Sequence, residues 1–345
     1  MSLPGRGAEK VNISGSEKLY PLKFHPIYME RVWGGTMMSE YLSRELPPAD
    51  APIGESWELV DRDDVKSVVS NGGFAGVTLQ ELVQKFGASL MGRAAHGRKS
   101  FPLMVKLIDA GERLSLQVHP DEKACREIGG GAEPKTEMWY VIANRPGAEI
   151  FAGLSRDATR VQLMEMLDSP DVDKLMQTYK SQEGDAYFIT SGTLHAIGAG
   201  NLILEIQQNS DTTYRVNDWG RLGTDGKPRT LHKVEGMKSI NLMNRVSPRI
   251  PRAVGKCSFN RKVDIVKMCP HFKVSDLRLC SVWQDDTGME SFHLVSAVKN
   301  RIEVGRDELK AIVVPGETVL VPACFGHYTI TPLDEGEATV IKTTL

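Results

Sequence analysis

The segment LSLQVHPD (114–121) carries Ser115, Gln117 and His119 at alternate positions. Alternate side chains of a β-strand share a face. A hydroxyl, an amide and an imidazole would therefore project together, with Gln117 and His119 about 6–7 Å apart along the strand. Leu114, Leu116 and Val118 would form the opposite, core-facing side. Two polar heads at that separation can converge on one ion, although a lone Gln-x-His pair is more commonly a half-exposed edge. Two further segments change the balance. Glu137 opens the apolar run EMWYVIA and shares a face with Trp139 and Val141, and a carboxylate buried there needs a partner. His195 follows the run DAYFIT and the small-residue turn SGT. Two imidazoles, a carboxylate and an amide on three β-segments form a nitrogen and oxygen donor set that suits zinc with one position left open. The five cysteines (Cys125, Cys257, Cys269, Cys280, Cys324) include no C-x-x-C pair. That argues against a Cys-rich structural site and for reduced thiols in a cytoplasmic protein.

The elements that must position these residues read mainly as short strands. Alternating or β-branched runs occur at KSVVS, PLMVKLIDA, LSLQV, EMWYVIA, AEIFAGL, DAYFIT and NLILEIQ, then at FKVSDLRLC, SFHLVSAV, ELKAIVV, ETVLVPA and EATVIKTTL. Strands at this density predict β-sandwiches or barrels. Two helical segments, near 78–97 and 157–180, decorate the N-terminal domain in this reading. In the first, Leu79, Leu82, Val83 and Phe86 follow helical spacing, Thr78 and Glu81 make a capping box, and Gly87 ends the helix. The second reads as two short helices broken near Ser169-Pro170. The aperiodic stretch 244–262 is the expected linker. The chain's 345 residues then divide into a tail over 1–20, expected to be disordered, a metal-binding catalytic domain over 21–245, and a smaller C-terminal β domain over 246–345. The segment from Gly184 to His195 is echoed from Gly316 to His327: a Gly, an acid, an apolar strand, a small-residue turn, then a His. A second, similar barrel would produce this, but it offers no matched His-x-His or Glu, so it is expected to hold no metal.

Net charge is −2, so no basic field points to nucleic acid as a partner. No apolar run is long enough for a bilayer, which gives no membrane expectation. The N-terminus lacks the apolar core of a secretory signal. No feature of the sequence reads out an oligomeric state.

The segments QVHPDE, KTEMWY, FITSGTLHAIG and QQNSDTTYRVNDWGR, preceded by IYMERVWGG and GESWELV, together resemble the type I mannose-6-phosphate isomerases (phosphomannose isomerases) of the short bacterial form, within the cupin superfamily. The likeness runs from about Pro21 to Lys233. It implies cupin-type β-barrels or jelly rolls and one zinc per chain, bound by Gln117, His119, Glu137 and His195. It also implies interconversion of mannose 6-phosphate and fructose 6-phosphate through a cis-enediol or enediolate. By motif, Arg215 matches an active-site arginine and Lys135 a lysine for proton transfer or phosphate contact. Asp211 and Glu205 match acidic positions, and the base stays open among these groups. Ser115 and Glu205 are candidate substrate contacts, and Glu205 reads equally as support for a ligand. Phosphate recognition has no glycine-rich loop signature; Lys135, Arg215 or Arg221 supply candidate charge. Alternatives are a related isomerase acting on another hexose or hexose phosphate, and a non-catalytic cupin that binds metal and senses a sugar. His25, His96, His232, His271 and His293 have no companions at ligand spacing and read as surface or packing residues.

Overall fold

The computed structural model describes residues 18–155, 158–223, 225–244, 246–252 and 258–345. The chain forms two compact units, neither continuous in sequence. One comprises Ile27–Glu58 and Leu103–Lys256; the other comprises Met1–Pro26, Leu59–Pro102 and Cys257–Leu345. Each is built from two antiparallel sheets.

In the first unit a seven-stranded sheet has the order Arg249–Ile250, Ala186–Ile189, Glu137–Asn144, Asn201–Gln208, Leu103–Ala110, Ile53–Leu59, Ile27–Glu30. A five-stranded sheet has the order Tyr214–Asn217, Leu116–Val118, His195–Ile197, Glu149–Leu154, Met176–Lys180. Ile108, Trp139, Val141, Tyr187, Ile189 and Ile203 from the first sheet meet Ile150, Ala152 and Ile197 from the second in one buried cluster. The sheets therefore pack face to face as a jelly-roll sandwich, the cupin architecture. The outer face of the five-stranded sheet is apolar too. Leu116, Val118, Ala196 and Val216 are covered there by Leu163 and Ile240, which lie on and just beyond the helices Arg160–Met166 and Lys233–Ser239. With Leu116 and Val118 facing outward, Gln117 faces the space between the sheets. Leu114 departs from the expected alternation. It precedes the strand and belongs to the inner cluster, because the pleat begins only at Leu116.

The second unit repeats the plan. A six-stranded sheet (Leu22–Lys23, Thr318–Val321, His293–Lys299, Ala338–Thr344, Lys273–Leu279, Arg261–Val266) packs on a four-stranded sheet (Trp283–Asp286, His327–Pro332, Ile302–Arg306, Leu309–Val313) through a core that includes Leu277, Val295, Val319, Val340, Val304 and Ile330. The sequence echo has a structural counterpart. The N–H groups of Gly184 and Gly316 each donate to a neighbouring strand, at Val141 O (2.9 Å) and Ala297 O (2.8 Å). His195 and His327 each open the strand that follows.

Several sequence-based expectations are corrected. The helix Leu79–Phe86, with the expected capping box and its stop at Gly87, belongs to the unit of the C-terminal strands and not to the N-terminal catalytic domain. Its continuation is tied there: Phe292 N–H donates to Met91 O, and the Phe101 and Phe292 rings lie 4.4 Å apart. The division into 21–245 and 246–345 thus differs from the fold, since 59–102 packs with the C-terminal strands. In the stretch 157–180 only Arg160–Met166 is α-helical. Val172–Leu175 is a 3-10 turn and Met176–Lys180 is a strand paired to Glu149–Leu154, since Thr178 and Tyr179 favour extended backbone. KSVVS makes isolated bridges only. The expected linker contributes Arg249–Ile250 to the seven-stranded sheet and leads into Arg261–Val266; its residues 245 and 253–257 lie outside the described residues. So do residues 1–17 of the expected tail, whereas Tyr20 stacks on Phe74 at 5.5 Å. Among the described residues no helix is long and apolar enough to cross a membrane.

Two glycines hold the loop that precedes the site. A Cβ on Gly34 would lie 2.7 Å from the Ile53 carbonyl, and one on Gly54 would lie 2.5 Å from Arg31 Cβ and 2.7 Å from the Trp33 ring. Only hydrogen at these positions lets the loop lie on the sheet with Arg31 and Trp33 toward the interior. Gly34→Ala is expected to destabilise the protein by about 1–3 kcal/mol, read as a lowered thermal midpoint with far-ultraviolet dichroism unchanged at low temperature.

Candidate active site and metal centre

Glu137 and the two imidazoles are carried by different sheets. His195 opens a strand of the five-stranded sheet directly across from Gln117. His119 follows the Leu116–Val118 strand, and Glu137 opens the Glu137–Asn144 strand of the other sheet. His119 Nε2 lies 3.2 Å from Glu137 Oε2, and His195 Nε2 lies 3.5 Å from Glu137 Oε1. One donor atom from each residue falls within 4.8 Å of the others, and all three side chains are buried.

The local bonding fixes which atoms point inward. His119 Nδ1 is 3.0 Å from Thr212 O and His195 Nδ1 is 2.8 Å from Thr193 O. A carbonyl only accepts, so Nδ1 of each ring carries the proton and Nε2 presents its lone pair. Trp139 packs edge-on against His195 with centroids 5.3 Å apart, which fixes the plane of that ring. His119 Nε2, His195 Nε2 and Glu137 Oε1 are buried and have no hydrogen-bond partner among the described residues, and Glu137 Oε2 meets the Lys135 ammonium. Such atoms cost about 1–3 kcal/mol each when left unmade. A divalent cation would satisfy all of them at once, so the donor set fits a metal.

The electrostatics agree. Burial, then the Lys135 charge, pulls His119 below its ordinary range; burial, then His119, lowers His195 to about 3. Both rings are therefore neutral, the form that binds metal. Burial pushes the Glu137 carboxyl up, but Lys135 and then His119 outweigh it and hold it well below the usual range. The Lys135 ammonium is 2.9 Å from Glu137 Oε2. Burial would lower it, yet Glu137 and Glu205 keep it charged.

Lys135 lines a cavity of about 370 Å³ together with Ser115, Gln117, Glu205, Asp211 and Arg215, so the cavity brings together the remaining residues singled out from the sequence, while His119, Glu137 and His195 lie behind its wall. Arg215 pairs in register with Gln117, which pairs with His195; opposed residues share a face. Arg215 makes no salt bridge to Asp211 or Asp218, the alternatives for an arginine here: Asp211 lies 3.7 Å from Lys106, and Asp218 is held by Arg221 and Arg229. Glu205 accepts from Trp139 Nε1 at 2.8 Å. Burial, then Glu137, raises it to about 7 against the pull of Lys135 and Lys106. Arg221, a candidate for phosphate charge, lies outside the cavity lining.

Sequence reasoning missed Lys106, Glu55, Arg31 and Arg229, all of which line the cavity. Lys106 is buried over Trp57, 4.8 Å from the ring centroid, and within 4.0 Å of Glu55 and Glu205. Arg31 donates to both oxygens of Glu55. Burial pushes the Glu55 carboxyl up, but Lys106 and Arg31 outweigh it and bring it to about 2. A lysine inside the apolar run PLMVKLIDA was the available signal. His327 shows the contrast: its side chain is 89% exposed, beside Asp286, whereas His195 is fully buried.

The type I phosphomannose isomerase catalytic-domain model matches residues 22–167. A probable mannose-6-phosphate isomerase of Bacillus subtilis, GmuF, is 33% identical over 313 residues, covering 90% of this chain and 96% of that protein. The mannose-6-phosphate isomerase ManA of the same organism is 38% identical over 231 residues, covering 67% and 70%. The crystal structure of a B. subtilis mannose 6-phosphate isomerase aligns with a TM-score of 0.83 at 30% identity, covering 95% of this chain and all of that one. Fold, buried donor set and these likenesses define a cupin-fold aldose–ketose isomerase. The chain belongs to the type I phosphomannose isomerase family.

His119→Ala and His195→Ala are expected to carry less than about a tenth of the bound metal of the unaltered protein, following loss of one of few strong donors, whereas His327→Ala retains it. Metal content by plasma mass spectrometry on purified protein checks all three.

Proposed function

We propose that the chain interconverts mannose 6-phosphate and fructose 6-phosphate, with one zinc held by His119, Glu137 and His195 and with Gln117 as a further donor. The observation that carries the reading is the buried donor set of His119, Glu137 and His195, joined to the cavity by Lys135, which lines it and lies 2.9 Å from Glu137 Oε2. Bound there, zinc supplies Lewis-acid polarisation of the sugar carbonyl.

The chain's own residues account for the rest. In the open-chain sugar a proton leaves C2 as negative charge grows on O1, and O1 takes up a proton. The resulting cis-enediol loses the O2 proton as C1 is protonated, which leaves the ketone at C2 and a hydroxyl at C1. A cation held beside the cavity stabilises the intermediate charge; Arg215, permanently protonated and paired with no carboxylate, does this. Lys135 stays charged between Glu137 and Glu205 and acts as a donor to oxygen, not as a base. Glu205 is engaged by Trp139 and lies between two lysines, which suits it to holding Lys135 and Lys106 in place. Asp211, whose side chain is 51% exposed, is the carboxylate with free access to the cavity and the group that carries the proton between C2 and C1. Ser115 contributes a hydroxyl to sugar binding.

A coupled assay that follows fructose 6-phosphate formation tests the reading. The metal-replete protein turns over mannose 6-phosphate, and deuterium from solvent enters the product. Absence of turnover with metal bound would overturn it, and sugar that binds yet emerges unchanged by NMR would mark a sensor. Asp211→Asn is expected to lower kcat by about 10²–10⁴-fold with metal content unchanged. Arg215→Ala is likewise expected to keep its metal and lose turnover.

A further inference from the structure

One buried acid close to the cavity takes no part in the chemistry above. Asp109 sits on the Leu103–Ala110 strand, whose Lys106 and Ile108 line the cavity. Strand alternation turns Asp109 to the opposite face of the sheet. There it is fully buried beneath the start of the helix Met37–Leu42, and its Oδ2 accepts from Met38 N–H at 2.7 Å. Its Oδ1 is buried without a hydrogen-bond partner among the described residues. That atom faces Gly35, where a Cβ would lie 2.1 Å from it.

The chain leading into this helix forms part of the cavity wall. Residues 31–36 join the strand Ile27–Glu30 to the helix, and Arg31 and Trp33 among them line the cavity. Backbone bonds tie the beginning and middle of this loop. Arg31 N–H donates to Pro52 O at 2.8 Å, Glu112 N–H donates to Trp33 O at 3.0 Å, and Gly34 bridges Ala110. At the far end the buried tie is the Asp109 carboxylate. The pairing of Glu40 with Arg145 nearby is exposed and contributes little in water.

Keeping a charge at Asp109 works against the fold. Burial pushes its carboxyl up to about 6, against the pull of the Met38 and Met37 N–H groups; Glu40 on the helix adds to the rise, and Arg145, which lies beside Tyr41, opposes it. The folded chain therefore takes up this proton near about pH 6 and the unfolded chain near about pH 4. Ionised Asp109 lowers stability above the first value, and the loss disappears as pH falls to the second. A position that served packing alone would be better filled by an uncharged residue. What the charge adds is grip, since an ionised acceptor holds an N–H about twice as strongly as a neutral one.

We propose that Asp109 is a positioning residue of the isomerase site: its ionised carboxylate holds the 31–36 loop down over the end of the strand, which keeps Arg31 and Trp33 at the cavity wall. The role rests on the isomerase reading.

The test compares the unaltered protein with Asp109→Asn, both metal-replete, on mannose 6-phosphate from about pH 5.5 to 8. At the alkaline end Asp109→Asn is expected to raise KM by about 3- to 30-fold, the loss of a charge-assisted hydrogen bond, with kcat within about threefold and bound metal unchanged. The ratio of the two KM values is then expected to fall toward one as pH drops through about 6, because the unaltered protein loses its charge and the variant has none to lose. The ratio cancels the ionisation of the substrate and of the groups common to both proteins. An unchanged KM, or a ratio that does not vary with pH, overturns the assignment. Hydrogen exchange on the unaltered protein without substrate needs no substitution to fold. After correction for intrinsic rates, protection of the amides over 31–38 is expected to fall about 10-fold between about pH 7.5 and 5.5, while that of the Asn201–Gln208 strand holds. Equal protection of the loop at both pH values overturns the assignment. Because exchange requires no turnover, failure of the isomerase reading and failure of the loop tie are separate results.

Discussion

The Glu137 carboxylate lies fully buried between two imidazole lone pairs and one ammonium, and most of the catalytic unit can be understood as the means of keeping it there. Removing a carboxylate from water costs several kcal/mol even after relaxation. Lys135 balances one charge at Oε2 but leaves the lone pairs of two rings and of the other carboxylate oxygen unmet. The surrounding bonds sharpen this condition. Backbone carbonyls hold the proton of each ring on the outward nitrogen, and Trp139 fixes His195 while donating to Glu205. Each contact makes the inward-facing set a better cation receptor and a poorer resting arrangement without one.

Around that centre the acids and bases interlock. Glu205 and Lys106 are cross-strand neighbours, and Glu205 also faces Trp139 on its other side. Lys106 shares Glu55 with Arg31, whose loop is seated by glycines packed on backbone. Lysines that would ordinarily reach for solvent are thereby kept charged at the cavity wall. Removing any one partner would leave another buried charge uncompensated.

The donor set was legible because polar residues at strand alternation, among so many apolar ones, have few uses. Gln117 and His119 sit two apart, Glu137 heads a run of buried aromatics, and His195 follows a tight turn. Lys106 and Glu55 obey the same logic but stand alone in their segments, where a long side chain reads as one whose head escapes to water. Arg229 lies in an aperiodic loop, and only the Asp218 contacts and the Leu222–Pro228 bridge bring it to the cavity wall. The membership of residues 59–102 was hidden for a different reason. Local spacing revealed the helix Leu79–Phe86 and even its capping box, but which sheet its apolar stripe covers depends on contacts some 200 residues away. The strand Met176–Lys180 was mistaken for helix because its apolar residues suit either period over so short a run.

Because His119 and His195 ride on one sheet and Glu137 on the other, an ion gripped by all three acts as a rivet through the sandwich. Parting the layers at that mouth would require the cation to leave, and the cation could leave only as the layers part. Retention of the cofactor and resistance of the jelly roll to local opening would then be two readings of one barrier, so that a protein slow to exchange its ion should also be slow to exchange the amide hydrogens flanking the cleft.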